Sequence, residues 1–211
     1  MFLPLILAEI SKKIARMIKH FSLIVVLLGC YMLWEQRPVW HGEGITVSEA
    51  PAINVLRSAK SIETDNYILT PVAAISGSSR LIGRKLYWFD DHASLSPIDF
   101  TLGWDKMSDE YYLRRMQVQI AEREHAIRFA IERIPKTNIS DMVLHMHAIP
   151  SNDDIREKMR WMRRGHVIDF EGYIVDVLPK TEDASARRHK QKPSFKRNSS
   201  HFIWIENLTI Q

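Results

Sequence analysis

Residues 151–177 read SNDDIREKMRWMRRGHVIDFEGYIVDV, and two periodicities meet within them. Ser151 is suited to cap a helix, Asp153 and Asp154 fall in the first turn where the helix dipole favours anions, and Ile155, Met159 and Met162 recur along one helical face. Arg163 and Arg164 fall in the last turn, and Gly165 supplies the left-handed residue that ends a helix. From Val167 the period shortens to two: Ile168, Phe170 and Ile174 point one way, Asp169, Glu171 and Tyr173 the other. Gly172 permits the sharp bend of a strand wrapping a small barrel. A helix that passes directly into a bent strand is the anchor for reading the rest.

Downstream, Phe202 to Ile205 forms one more strand. Upstream, strand signal begins at Tyr67 and runs through Ile75 to Ser76-Gly77-Ser78-Ser79, a turn cluster, after which Arg80 to Phe89 alternates as a second strand. Leu95 to Asp109 holds too many turn residues for a long regular element. Met116 to Ile134 fits either a helix face or two alternating runs about Glu122-Arg123-Glu124, and a hairpin is the preferred reading. Three or four strands, one helix, then two strands is an α+β order. It resembles that of an OB fold, a five-stranded barrel whose helix lies between the third and fourth strands. An SH3-like barrel and an open α+β sheet accommodate the same order.

The formal net charge is +4, and it is unevenly spread. Residues 1–34 carry +3 through Lys12, Lys13, Arg16 and Lys19 against Glu9, and the remainder only +1. Phe21 to Trp34, FSLIVVLLGCYMLW, contains no charge. As a helix it spans about 21 Å, short against a hydrocarbon core of about 30 Å, but Lys19 and His20 can snorkel and Trp34 and Trp40 suit an interface. The reading is a basic cytoplasmic arm (1–20), a signal anchor (21–36) that meets membrane lipid, a linker (37–66) with a short helix near Ala52–Ala59, and a β-rich extracytoplasmic domain (67–211). Bases before the apolar run place the N-terminus inside. Leu3, Ile6, Leu7, Ile10, Ile14, Met17 and Ile18 make the arm amphipathic, so it either lies on an anionic leaflet or is a long n-region. Leu27-Leu28-Gly29-Cys30 also resembles a lipobox, which makes Cys30 a candidate for lipidation; a buried helix of a soluble protein is the third reading.

Arg37-Pro38 with His41-Gly42-x-Gly44, Leu102-Gly103-Trp104 with Met107-Ser108-Asp109, His147-x-Ile149-Pro150, and Arg164-Gly165-x-Val167 leading to Gly172 form a scattered set. Through these pieces the chain resembles an uncharacterised family of bacterial single-pass membrane-anchored proteins. That resemblance implies topology, one span with a domain in the envelope, and no activity.

Candidate chemistry is sparse. One cysteine excludes an internal disulfide and the usual Cys-based zinc clusters. There is no Gly-x-Ser-x-Gly elbow, His-Glu-x-x-His or phosphate loop. His145 and His147 on a strand share one face, a spacing that metal sites use, with His41 and His92 as further candidate ligands; in an apolar stretch such a pair also serves as hydrogen-bonded structural histidines. The run RRHKQKPSFKR offers Arg187, Arg188, Lys190, Lys192, Lys196 and Arg197 with Phe195 as a stacking group, in the position of a loop that OB folds use to grip oligonucleotides. Location outside the cytoplasm disfavours nucleic acid and favours lipid headgroups, envelope polymers or an acidic protein; a solvated hairpin loop is the plain alternative. The expected function is a membrane-anchored interaction or assembly module with an envelope partner, no cofactor and no enzymatic activity. Polyanion binding through 187–197 and a His-dependent metalloenzyme are the alternatives.

Overall fold

The computed structural model describes residues 3–35, 37–90, 92–129, 139–180 and 200–211. The chain divides into two compact units, Met1–Arg37 and Pro38–Gln211. The first is a single helix, α1 (Leu3–Glu35). Its Lys12–Trp34 window of 23 residues is long and apolar enough to cross a membrane, and none of it is buried in the protein. At about 1.5 Å per residue that window reaches about 35 Å, so the shortness of the uncharged run is made up from its basic flank. Cys30 is free and exposed on this helix.

The second unit is mostly sheet. Its elements are β1 (Ala52–Val55), β2 (Ile62–Glu63), β3 (Tyr67–Leu86), β4 (Ile98–Gly103), a 3-10 turn (Asp105–Ser108), α2 (Glu110–Leu113), β5 (Met116–Ala121), β6 (Glu124–Phe129), β7 (Val143–Pro150), α3 (Asp153–Trp161), β8 (Val167–Pro179) and β9 (His201–Ile210). Among the described residues β3, β4, β7, β9 and β8 pair in that order, and β8 pairs back to β3, which closes a ring. The β7–β9 pairing is parallel and the other four are antiparallel. β1 and β2 are short additions to β3.

Four elements differ from their sequence-based reading. Ser76–Ser79 is not a turn: β3 runs unbroken for 20 residues, with Ser76 to Arg80 paired to Glu171 through Val167 of β8. Small side chains there admit a neighbour, since a Cβ on Gly77, whose φ is +148°, would stand 3.0 Å from Pro51 Cα. Arg80 is the corner, paired to Val167 of β8 and to Gly103 of β4. The turn-rich 95–109 segment contains β4, and the expected helix near 52–59 is instead β1. The cap of α3 is Asn152 rather than Ser151, its Oδ1 accepting from Ile155 N at 2.9 Å, and α3 ends at Trp161, so Gly165 (φ +97°) serves the turn into β8. The hairpin reading of 116–134 agrees with β5 and β6, which pair about Glu122 and Arg123, both at positive φ. Residues 130–138 lie outside the described set.

Alternation explains which face each strand buries. Ile98, Phe100 and Leu102 of β4 and Leu144, Met146 and Ala148 of β7 join Phe170, Ile174, Ile203 and Ile205 in one core, where Ile155 and Met159 of α3 and Met162 just after it also pack. Each such Ile or Leu stabilises the fold by about 1.5–3 kcal/mol, an upper estimate because unfolded chains are already partly collapsed. The intervening residues Asp99, Thr101, His145 and His147 face outward, yet all four are buried. They are covered by the β5–β6 hairpin, whose Val118 and Ile127 pack with Ile82, Met107 and Val143 on the outside of the ring.

The 37–66 stretch is bonded to the body rather than free of it. Val39 N donates to Arg164 O (2.7 Å) and Asp105 N to Val47 O (2.7 Å). Thr46 Oγ1 donates to Ser108 O (2.9 Å), and Val47 N to Ser108 Oγ (3.0 Å). Beneath this strap lies a buried ion pair, Arg80 with Glu110. Arg80 also donates to the carbonyls of Ser108 (2.8 Å) and Gly165 (3.2 Å).

Candidate functional site

Cross-strand register sets Asp99 opposite His147 and Thr101 opposite His145. The period-2 rule puts all four on one face, and the covering hairpin removes that face from water. Asp99 Oδ1 receives His147 Nδ1 at 2.9 Å and Arg123 Nη1 at 3.0 Å. Its second oxygen, Oδ2, stands 3.8 Å from His145 Nε2, too long for a hydrogen bond. Neither of those two buried atoms has a hydrogen-bond partner. One ligand atom from each of Asp99, His145 and His147 falls within 4.8 Å of the other two.

The neighbours set the electrostatics. Burial raises the Asp99 carboxyl, but the facing His145 and His147 and the Arg123 guanidinium outweigh it and bring the pKa down to about 2. Arg123 sits at the hairpin turn, where Asp90 takes it with both oxygens at 2.8 and 2.7 Å, and it lies 4.0 Å over the Tyr87 ring. His125 of β6 stacks on His145 with ring centroids 4.7 Å apart. Burial, then the nearby His145, pushes the His125 imidazole below its usual range. Two imidazoles and a carboxylate are a donor set that suits divalent transition metals.

Of the four histidines singled out from sequence, only His145 and His147 come together here. His41 is in the strap, its N donating to Glu110 Oε2 at 3.3 Å and its Nε2 meeting Gly165 O at 3.0 Å. His92 packs its ring against Tyr67 and Phe202. Asp99 was missed by sequence reading, although Ile98-Asp99-Phe100-Thr101-Leu102 carries the alternation that marks it as outward-facing. The basic run Arg187, Arg188, Lys190, Lys192, Phe195, Lys196 and Arg197 lies outside the described residues. Its flanks are placed: Lys180 N donates to Asn66 O at 2.8 Å, and His201 opens β9 beside Met146. Leu102 and Trp104 are core residues, and the Ser108 hydroxyl is taken up by Val47 and Asp105 backbone.

Next to the buried cluster, the β3–β4 connection opens a cleft of about 420 Å³ lined by Trp88, Phe89, Asp90, Pro97, Arg156 and Arg160. Trp88 is 67% exposed and Phe89 fully so, at 101%, which sets them apart from core aromatics. Arg160 lies 5.9 Å over the Trp88 ring. Exposed ring faces beside guanidinium groups are suited to flat or anionic ligands. No family model, curated protein or solved structure matches the chain.

Proposed function

We propose that this is a single-pass membrane protein, N-terminus inside, whose extracytoplasmic OB-like domain is a binding module for an anionic envelope polymer and performs no chemistry of its own. The observation that carries the reading is the exposed pair Trp88 and Phe89 beside Arg156 and Arg160. The OB-like assignment is supported by a closed circuit of five strands with the helix between the third (β7) and fourth (β8). In such folds ligands are held on the outer face of the second and third strands and by the loops after the first and fourth. Here the hairpin covers that face, so the loops remain: 87–97, which carries Trp88 and Phe89, and the 180–200 connection, which carries the basic run. The anchor rests on α1, and its orientation on the bases that precede the apolar run.

Retention of the full chain, in detergent, on immobilised heparin as a model polyanion tests the module. Elution salt falls for Trp88→Ala with Phe89→Ala, and falls further when Arg156 and Arg160 become Gln, because each neutralised contact flattens the salt dependence. Equal elution of all variants and wild type overturns the proposal. For the anchor, a chain lacking residues 1–37 partitions to the soluble fraction while the full chain stays with membranes; equal solubility rules out the anchor. External protease on spheroplasts degrades the body if it lies outside, and protection reverses the orientation.

A further inference from the structure

We propose that Asp99, His145 and His147 bind one divalent transition-metal ion, with Zn2+ as its representative. This stands apart from the polymer-binding reading, which uses none of the three. Asp99 Oδ2 and His145 Nε2 are both buried without a hydrogen-bond partner and stand 3.8 Å apart. His145 Nδ1 meets Thr101 Oγ1 at 3.1 Å, and that contact has two polarities. If Nδ1 donates to Thr101, the bare Nε2 lone pair faces a carboxylate oxygen, lone pair against lone pair. If Thr101 donates, the Nε2 hydrogen faces an oxygen it cannot reach. An ion with bonds of about 2.0–2.2 Å to nitrogen and oxygen satisfies both atoms in the first polarity.

His147 supplies the third donor. Its Nδ1 lies 2.9 Å from Asp99 Oδ1, a separation that serves a hydrogen bond and equally the edge of a coordination shell. On binding, the ring proton of His147 moves from Nδ1 to Nε2 by exchange with solvent, so the imidazole stays neutral and the Nδ1 lone pair takes the ion.

Charge agrees. Arg123 beside the site would repel a cation if it stood alone, but Asp90 holds it through both oxygens. Arg123 Nη1 also holds Asp99 Oδ1 at 3.0 Å, so one guanidinium is shared by two carboxylates and the trio keeps a net negative charge beside the two imidazoles. Thr101 acts as a positioning residue: by accepting from His145 Nδ1–H it fixes the tautomer that exposes Nε2, the role that outer hydrogen-bond partners play at metal sites. Nitrogen-rich donors favour zinc-like ions over Ca2+ and Mg2+, which seek oxygen.

The test uses the full chain in detergent micelles, stripped with chelator and titrated with Co2+ and Zn2+. The expected result is one ion per chain, a dissociation constant of about 1 µM or tighter, and visible Co2+ absorption that Zn2+ abolishes and Mg2+ leaves intact. Asp99→Asn and His147→Ala, with far-UV circular dichroism of the wild type, lose the absorption. Thr101→Val retains the site but weakens it about 10- to 100-fold. Should the ligand variants fail to fold, imidazole 15N NMR of the wild type decides: Zn2+ shifts the resonances of two histidines in slow exchange. Absence of stoichiometric binding by the folded wild type overturns the proposal. So does a Co2+ spectrum that persists in Asp99→Asn and His147→Ala, or an NMR titration in which no histidine pair moves.

Discussion

Two buried polar clusters flank the outside of the ring, and they are completed differently. Around Arg80, the guanidinium meets Glu110, the carbonyls of Ser108 and Gly165, and at longer range that of Val39. Its leftover atom, Glu110 Oε1, faces another cation, Arg114 Nε, at 3.7 Å. Around Asp99, the leftover carboxylate oxygen faces an imidazole nitrogen instead. The first cluster sets charge against charge and ties strap, α2 and β3 together, with Glu110 Oε1 likewise lacking a hydrogen-bond partner. The second sets two imidazoles and a carboxylate together, the donor set proposed above to take a metal ion, and burial alone does not make a polar group structural.

Opening the Arg80 clamp should cost the most stability. Arg80→Ala leaves Glu110 buried without its partner, and removing one member of a buried pair costs about 3–5 kcal/mol. The urea midpoint of the Pro38–Gln211 unit should drop accordingly, and a loss below about 1 kcal/mol would mean that the pair behaves as a surface one. Next in size is the response to metal. Zinc at about 100 times its dissociation constant should stabilise the wild type by about 2.7 kcal/mol, an increment that EDTA removes and Asp99→Asn never shows. Equal stabilisation of both chains would erase the distinction between the clusters.

A smaller effect comes from His166, at the clamp. Burial, then the charges of Arg163 and His41, lower its pKa, and its Nδ1 accepts Arg163 N–H at 3.0 Å. A histidine whose folded pKa lies below its unfolded value of about 6.5 contributes stability that is present above that value and fades as pH falls through it. His166→Gln should flatten the decline in urea midpoint between pH 7 and 5; an unchanged slope assigns the acid sensitivity elsewhere. Smallest of all, Lys180→Ala removes an exposed ion pair with Glu63 and should change stability by less than about 1 kcal/mol. It serves as the baseline for both clusters.

The helix and bent strand at 153–179 were legible because the acidic first turn, the apolar periodicity and Gly172 agree there, although the cap is Asn152 and the helix stops before Gly165. β4 was obscured by Ser96 and Pro97 just before it and by Gly103 at its end, turn residues around a strand of only six positions. Ser76–Ser79 misled for a related reason: glycine and serine favour turns locally, but β8 offers a partner to their backbone, and pairing needs no side chain. At the site, the His145-x-His147 spacing fixed a shared face, whereas Asp99 lies more than forty residues earlier and meets them only through register. No local pattern encodes which strand lies beside which. His41 and His92 were plausible by residue type alone, and sequence has no means of separating them from true neighbours.

The position of β9 bears on how the protein is made. It lies between β7, which it joins in parallel, and β8, so the circuit stays open until residues 201–210 have left the ribosome. Until then β7 and β8 each carry an unpaired edge, and parallel, sequence-distant pairings form slowly. With α1 as the proposed anchor, a nascent chain would wait in that state close to a membrane. Biogenesis, rather than final stability, is where a change in those last ten strand residues should be felt first.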